Sequence, residues 1–69
     1  MNFSTREYER YHGKAPRGRG GWGFRFWNGY KYEDWFSPSA MTLTEAKNAL
    51  LSYIRSKGYK GADFASVLS

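Results

Sequence analysis

The amino-acid sequence predicts one small α+β domain, in which a short antiparallel sheet packs on a single helix. Three observations predict this fold: a helix-start signal before an apolar stripe, an Asn-Gly turn between aromatic-rich segments, and a length of 69 residues. A chain this short buries only about 60% of the surface that it exposes when unfolded. Leu, Ile and Val together number six, against fourteen aromatic residues, so we expect a core built mainly from Phe, Tyr and Trp.

The helix is predicted over residues 43–57. Thr42 and Glu45 have the spacing of a capping box, in which each side chain pairs with a backbone amide of the first helical turn. Gly58 suits the left-handed position that commonly ends a helix. Apolar residues recur with a period of 3.6 and define the face that we expect to be buried. They are Leu43, Ala46, Leu50, Tyr53 and Ile54.

A β-hairpin is predicted over residues 22–36, because Asn28-Gly29 is a strong hairpin signal. A two-residue loop would mix rings and charges on both faces. A three-residue loop over 27–29 instead gathers the aromatic rings on one face, and we favour that register. Its core face would pair Phe26 with Tyr30 and Phe24 with Tyr32, and would continue through Trp22 and Phe36. The opposite face would carry Gly23, Arg25, Lys31, Glu33 and Trp35, with Trp27 at the tip.

The ends of the chain give weaker signals. Ser4 and Glu7 repeat the capping-box spacing, which indicates a short helix to about residue 11, whereas residues 8–14 equally fit a third strand beside the hairpin. Residues 14–21 are a basic loop rich in Gly and Pro. Asp63 is expected to cap a last turn that places Phe64, Val67 and Leu68 against the core.

Charge is distributed unevenly along the chain. The formal net charge is +5, and residues 1–32 carry seven Lys or Arg and two Glu, whereas residues 33–69 carry four of each sign. The favoured register places Arg25 directly opposite Lys31, a like-charge pair that a bound anion would relieve. Segregated positive charge indicates a polyanion or an acidic protein as the partner.

Seven residues are the candidate binding site, because they combine cations for phosphate with indole rings for stacking. Residues 17–21, with the sequence RGRGG, also resemble the RGG tracts of nucleic-acid-binding segments. The candidates are Lys14, Arg17, Arg19, Arg25, Trp27, Lys31 and Trp35.

Composition argues against several other classes of protein. The chain has no Cys and one His, so neither a thiol nucleophile nor a convincing catalytic or metal-binding set can be assembled, and we expect no enzyme, cofactor or metal. No apolar run approaches the roughly 20 residues of a membrane span. The N-terminal residues lack the apolar stretch of a secretory signal. We therefore expect a cytoplasmic protein, located in the host cytoplasm if it is viral.

The order of features also resembles a known class of domain. Tyr11 and Gly13 precede the basic loop, Trp22-x-Phe-x-Phe precedes the turn, and TLTEAKNALLSYI follows at residues 42–54. This order is similar to the plant ethylene-response-factor DNA-binding domain and to the arm-binding domains of phage integrases. The resemblance implies a three-stranded antiparallel sheet in the major groove of DNA, braced by a helix through Leu50 and Tyr53. It also implies groove contacts from Arg17, Arg19, Arg25, Trp27, Lys31 and Trp35.

These observations favour a single-domain, nonenzymatic DNA-binding protein that uses residues 14–21 and the outer face of the hairpin. The alternative is a phage or mobile-element protein that inhibits an acidic host protein or a nucleoprotein complex. The exposed hairpin edge leaves pairing with a second copy open.

Overall fold

The computed structural model describes residues 1–68 of the chain. These residues form two helices and six short strands, and the α+β class is confirmed. In chain order the elements are β1 (Asn2–Ser4), α1 (Arg6–His12), β2 (Arg19–Gly20), β3 (Gly23–Trp27), β4 (Tyr32–Phe36), β5 (Met41–Thr42), α2 (Leu43–Lys57) and β6 (Phe64–Val67).

Four of the strands form the main sheet, in the order β1-β6-β3-β4. Strand β3 pairs antiparallel with both β4 and β6, whereas β1 runs parallel to β6. Strands β2 and β5 make a separate antiparallel pair. The main sheet is therefore mixed, and it has one strand more than the three-stranded antiparallel sheet that the resemblance implies.

The hairpin forms where the sequence predicts it, but the predicted register is wrong. Phe24 lies opposite Trp35 and Phe26 opposite Glu33. The amide of Asn28 donates to the carbonyl of Lys31 at 3.0 Å, so the connection has four residues rather than three. Relative to the prediction β4 is shifted by an odd number of residues, which exchanges its two faces because strand side chains alternate.

Helix α2 has the predicted bounds. The Glu45 amide donates to the Thr42 hydroxyl at 3.2 Å, and the Thr42 amide donates to the Glu45 carboxylate at 2.9 Å. Gly58 ends the helix in the left-handed conformation, with φ of 73°. Its buried residues are Ala46, Leu50 and Ile54. Local sequence therefore specifies this helix at both ends.

Two expectations at the ends of the chain need correction. Residues 8–14 do not form a strand; the helical alternative is found, as α1, and the Tyr8 ring stacks on that of His12 with centroids 4.0 Å apart. The predicted last turn is the strand β6, because these residues fill the space between β1 and β3. Val67 is buried as expected, but Phe64 faces solvent on one side and is 39% exposed.

The core lies between α2 and one face of the main sheet, which we call the inner face. Phe24 and Phe26 are fully buried there with Leu50 and Val67. Partly buried residues, including Trp35 and Tyr53, pack around this cluster. The other face of the sheet, the outer face, carries exposed side chains. Neither described helix combines the length and apolar character that a membrane span requires.

Candidate functional site

The outer face of the sheet carries a cluster of exposed aromatic and charged side chains. Alternation along β4 turns Tyr32, Asp34 and Phe36 outward, while alternation along β3 turns Arg25 and Trp27 outward. Tyr32 and Phe36 are 59% and 63% exposed. Large exposed rings clustered on a small protein usually indicate an interaction site.

Three rings on adjacent strands form what we call the aromatic row. Trp27 pairs with Tyr32 across β3 and β4, and their ring centroids are 5.2 Å apart in an edge-to-face arrangement. Phe64 precedes Ala65, which pairs with Phe26, so Phe64 lies at the same level on β6 as Trp27 on β3. The aromatic row therefore comprises Phe64, Trp27 and Tyr32, and it crosses three strands.

A polar row lies beside the aromatic row, two residues further along the strands. Strand pairing places Ser4 beside Ser66, Ser66 beside Arg25, and Arg25 beside Asp34. We define the polar row as these four residues. Two residues along a strand correspond to roughly 6.8 Å. The two rows are therefore close enough for one bound molecule to contact both.

Arg25 and Asp34 form a two-point ion pair within the polar row. Arg25 Nε donates to Asp34 Oδ1 at 2.8 Å, and Nη2 donates to Oδ2 at 3.2 Å. This pairing holds the pKa of the Asp34 carboxyl below its ordinary value and raises the pKa of Arg25. Asp34 is therefore ionised at neutral pH, and much of the positive charge of Arg25 is already compensated.

A groove separates α1 from the β1–β6 side of the outer face. Its volume is about 730 Å³, which lies within the range of roughly 300–1,000 Å³ that is typical of ligand clefts. Arg6 and Arg10 of α1 lie along it, and Arg10 is 4.0 Å from Glu7. The full lining comprises Ser4, Arg6, Glu7, Glu9, Arg10, Phe64 and Ser66. The groove thus places two guanidinium groups and two carboxylates next to one end of the aromatic row.

The structure brings together only part of the site that the sequence predicts. Arg25 lies on the outer face as expected. Trp27, expected in the turn at the hairpin tip, is instead the last residue of β3 and lies on the same face. Lys31 is in the β3–β4 connection, so the expected Arg25–Lys31 pair is wrong: Asp34 occupies that position. Trp35 is on the inner face, where its ring lies 5.9 Å from that of Phe24, because the odd shift of β4 turned it inward.

The three cations of the basic segment do not converge on the outer face as one cluster. Arg19 lies in β2 and is bound to Glu45 at 3.3 Å and to the carbonyl of Ala40 at 3.3 Å. Lys14 and Arg17 are exposed in the connection between α1 and β2. Arg19 therefore has a structural role at the start of α2, while Lys14 and Arg17 remain at the surface.

Sequence reasoning missed Tyr32, Phe36 and Phe64 as surface residues, together with the two arginines of α1. The alternation Tyr-x-Asp-x-Phe over residues 32–36 contains the signal, since Asp34 opposes Arg25 once the connection has four residues. For Phe64 no comparable local signal exists, because residues 64–67 become a strand only through pairing with β1 and β3.

A second polar cluster lies on the inner face around Glu33. Tyr53 and Tyr59 donate their hydroxyls to the Glu33 carboxylate at 2.6 and 2.9 Å, and Asn28 donates its side-chain amide at 3.2 Å. These bonds, led by that from Tyr53, hold the pKa of Glu33 below its ordinary value. The Glu33 bond also raises the pKa of Tyr53 to about 12. The cluster fastens β4 to α2 and to the loop that follows it.

Within residues 1–68, no group of three or more His, Cys, Asp or Glu side chains is placed to hold a metal ion. Comparisons with protein-family models, with curated proteins and with solved structures found no match to this chain.

Proposed function

We propose that this protein binds single-stranded nucleic acid on the outer face of its main sheet, as a nonenzymatic binding protein. The observation that carries the proposal is the aromatic row, in which three rings on adjacent strands lie at one level of an open sheet face. Unpaired bases stack on such rings, and each stacked base contributes about 1–3 kcal/mol. Open sheets with exposed aromatic residues are a common platform for this type of binding.

Positive charge around the sheet supports binding of a phosphate backbone. Arg6 lines the groove beside Phe64, and Lys14 and Arg17 are exposed in the connection that follows α1. Cations at the border of a stacking surface are well placed to contact phosphates while the bases lie on the rings.

A single strand fits the outer face better than the duplex groove that the sequence resemblance implies. Stacking needs access to the flat faces of the bases, which a duplex hides within its own stack. Arg25, the central cation of the predicted groove surface, is engaged by Asp34 at 2.8 Å. Direct reading of a major groove would require this arginine to leave its partner, whereas stacking on Tyr32 and Trp27 leaves the ion pair intact.

The proposal is tested by replacing two exposed tyrosines in turn. Tyr32 belongs to the aromatic row, whereas Tyr11 lies on α1 and is 77% exposed. We expect Tyr32→Ala to weaken binding of a fluorescent ten-nucleotide strand about tenfold, because one stacking surface is lost. Tyr11→Ala, which removes the same ring elsewhere, should leave affinity unchanged. Fluorescence anisotropy with DNA and RNA strands measures both effects.

The same titration includes the matched duplex and identifies which nucleic acid is preferred. Tighter binding of the duplex than of either strand would contradict the single-strand proposal. Equal loss of affinity in Tyr32→Ala and Tyr11→Ala would contradict the assignment of the outer face. Circular dichroism melting of each variant establishes that the fold is retained.

A protein partner is the second candidate, and a specific observation favours it. Strand β4 is at one edge of the main sheet, and Phe36 at its end is 63% exposed. An acidic partner, including a host protein or nucleoprotein complex, would pair an extended segment with this edge. Capture that survives nuclease treatment and is lost in Phe36→Ala supports this candidate. Capture that disappears with nuclease supports nucleic-acid binding.

A further inference from the structure

A second cleft lies at the end of the main sheet, between the connection from β3 to β4 and the connection from α2 to β6. We call it the tip cleft. Its volume is about 430 Å³, which is large enough for a small organic ligand. It shares no residue with the groove beside α1, so it is a separate candidate site. Its lining comprises Asn28, Gly29, Tyr30, Gly58, Tyr59, Lys60 and Gly61.

Both walls of the tip cleft lead directly into the aromatic row. Residues 28–31 connect Trp27 to Tyr32, which pair across β3 and β4. Tyr30 is two residues from Tyr32, so their Cα atoms are at most about 7 Å apart. The other wall ends at Gly61, three residues before Phe64. A strand that stacks on the aromatic row therefore has the tip cleft as its next neighbour at this end of the sheet.

Tyr30 gives the tip cleft a stacking surface that the core does not use. It is 87% exposed and is the most exposed of the large apolar side chains within residues 1–68. Its backbone is fixed, because the Tyr30 amide donates to the Asn28 side chain at 2.9 Å. A ring that projects from a fixed turn loses little conformational entropy when a ligand stacks on it.

The opposite wall supplies a cation on a fixed backbone. Lys60 is exposed and makes no ion pair within residues 1–68. Tyr59 holds this wall in place, since its hydroxyl donates to Glu33 at 2.9 Å. The two walls meet at Gly29 and Gly61, where a Cβ on Gly61 would lie 3.0 Å from the Gly29 Cα. Contacts within the protein itself therefore form the cleft, with a ring on one wall and an ammonium group on the other.

The charges around the tip cleft favour an anionic ligand. None of its lining residues is acidic, whereas the groove beside α1 includes Glu7 and Glu9. The carboxylate of Glu33, which contacts two lining residues, is occupied by the hydrogen bonds from Tyr59 and Asn28. A planar base can stack on the ring while a phosphate meets the ammonium group, which is the combination that single-strand binding sites use.

We infer that the tip cleft binds one nucleotide of the same single strand whose neighbouring bases stack on the aromatic row. The base lies against Tyr30 and a phosphate lies at Lys60. This inference rests on the proposed function and extends its site beyond the outer face. It involves no base preference, because every base has a flat face that can stack.

The ring is tested with Tyr30→Ala and Tyr11→Ala, which remove the two most exposed tyrosines within residues 1–68. The probe is a fluorescent oligothymidine of ten nucleotides, and anisotropy at one fixed salt concentration measures affinity. We expect Tyr30→Ala to weaken binding about tenfold through loss of one stacked base, and Tyr11→Ala to leave it unchanged. Equal affinity of Tyr30→Ala and the unaltered protein would overturn the inference. Circular dichroism melting establishes that both variants fold.

The cation is tested with Lys60→Ala and Arg55→Ala, each of which removes one exposed positive charge. We expect Lys60→Ala to reduce the magnitude of the slope of log K against log salt by about 0.7, as for one phosphate contact, and Arg55→Ala to leave the slope nearly unchanged. An unchanged slope in Lys60→Ala would overturn the phosphate position.

Amide signals in ¹H–¹⁵N spectra locate the strand without any substitution. We expect the signals of Gly58 and Gly61 to shift when the same oligothymidine is added, because both residues line the tip cleft. Amides of residues 48–52, in the middle of α2, should keep their positions. Shifts confined to the aromatic row would show that the strand does not enter the cleft.

The outcomes separate the inference from the proposed function. Full affinity in Tyr30→Ala together with a loss in Tyr32→Ala overturns the tip cleft as a nucleotide site and leaves stacking on the aromatic row standing. Nuclease-resistant capture of a protein that is lost in Tyr30→Ala, with strand affinity retained, assigns the cleft to a protein partner instead. Failure of every DNA and RNA strand to bind overturns the proposed function and the inference with it.

Discussion

Glu33 shows at the level of single residues how a charged side chain is accommodated on the face of a sheet that otherwise builds the core. Its carboxylate lies opposite Phe26 and receives hydrogen bonds from Tyr53, Tyr59 and Asn28. No buried side-chain nitrogen or oxygen within residues 1–68 is left without a partner. A polar group away from water is tolerated when its hydrogen bonds are made, and this cluster meets that condition.

The Glu33 cluster makes the stability of the protein sensitive to alkaline pH. The hydrogen bond that Tyr53 donates to Glu33 raises the pKa of Tyr53 from the ordinary value of 10.0 to about 12. The folded protein therefore holds this proton more tightly than the unfolded chain. The resulting stability is complete below pH about 10 and is lost as pH rises towards about 12.

Tyr53→Phe removes both the hydroxyl and its titration. We expect a lower Tm at neutral pH and a smaller further decrease between pH 10.0 and about 12 than in the unaltered protein, measured by circular dichroism melting. Tyr11→Phe, at an exposed ring on α1, serves as the control and should follow the unaltered protein. An identical alkaline decrease in Tyr53→Phe would contradict the role of this hydroxyl.

At the scale of elements, the connection between β3 and β4 is held against the connection between α2 and β6. The Asn28 side chain accepts from the amides of Tyr30 and Lys31 at 2.9 and 3.0 Å and is itself buried. Gly29 has φ of 104°, and a Cβ there would lie 3.5 Å from the backbone of Gly61. The two connections therefore approach through their backbones, and the positive φ is the feature that requires glycine at position 29.

Gly29→Ala should destabilise the protein by about 1–2 kcal/mol, because a side chain in the left-handed region meets its own backbone. Gly21→Ala is the matched control: no atom lies within 4 Å of its added Cβ, and its φ is not in the positive range. Urea unfolding followed by Trp fluorescence measures both variants. Equal stability of Gly29→Ala and the unaltered protein would show that the connection relaxes without cost.

The contrast between α2 and the hairpin shows which features the sequence could predict. The ends of α2 depend on contacts within a few residues, such as those of Thr42 with Glu45, and both ends were predicted correctly. The register of β4 depends instead on Glu33 meeting Tyr53 and Tyr59, which are distant in sequence. A prediction that placed aromatic rings in the core and charged side chains in solvent therefore exchanged the two faces of β4.

The candidate site, like the fold, was predicted correctly only where local sequence determines the structure. Arg25 was placed on the correct face because aromatic residues occupy every second position from Trp22 to Phe26, whereas Trp27 was expected in the turn and lies in β3. Trp35 was misplaced with the rest of β4. Phe64 could not be assigned at all, since β6 is a strand only by virtue of its two neighbours in the sheet. Local sequence patterns therefore do not predict a surface that is formed by segments distant in the chain.

At the scale of the whole molecule, most of the eleven Lys and Arg side chains make no ion pair within residues 1–68. Of the six acidic residues, Glu33 is bound by tyrosines, Asp34 by Arg25 and Glu45 by Thr42 and Arg19. Among residues 1–68, the cations without an ion pair include Arg6, Lys14, Arg17 and Lys31. The unpaired cations are the part of the molecule that a polyanion would engage.

Binding of a single strand should therefore weaken as salt increases, with log K falling by about 0.7 per log unit of salt for each phosphate contacted. Arg6 lines the groove beside Phe64, whereas Arg55 is exposed near the end of α2. We expect Arg6→Ala to reduce the magnitude of the slope by about 0.7, and Arg55→Ala to leave it nearly unchanged. Anisotropy titrations across a salt series measure the slopes. A larger effect from Arg55→Ala would place the phosphates near α2 instead.

The parallel pairing of β1 with β6 brings Phe3 beside Ala65. During synthesis, β1 leaves the ribosome long before its neighbour exists, and nearly all of the intervening chain must follow before the sheet can close. Contacts between such distant segments slow folding, because a large loop must be ordered before they form. The contacts that define α2 are local, whereas the main sheet closes only when β6 joins β1 to β3.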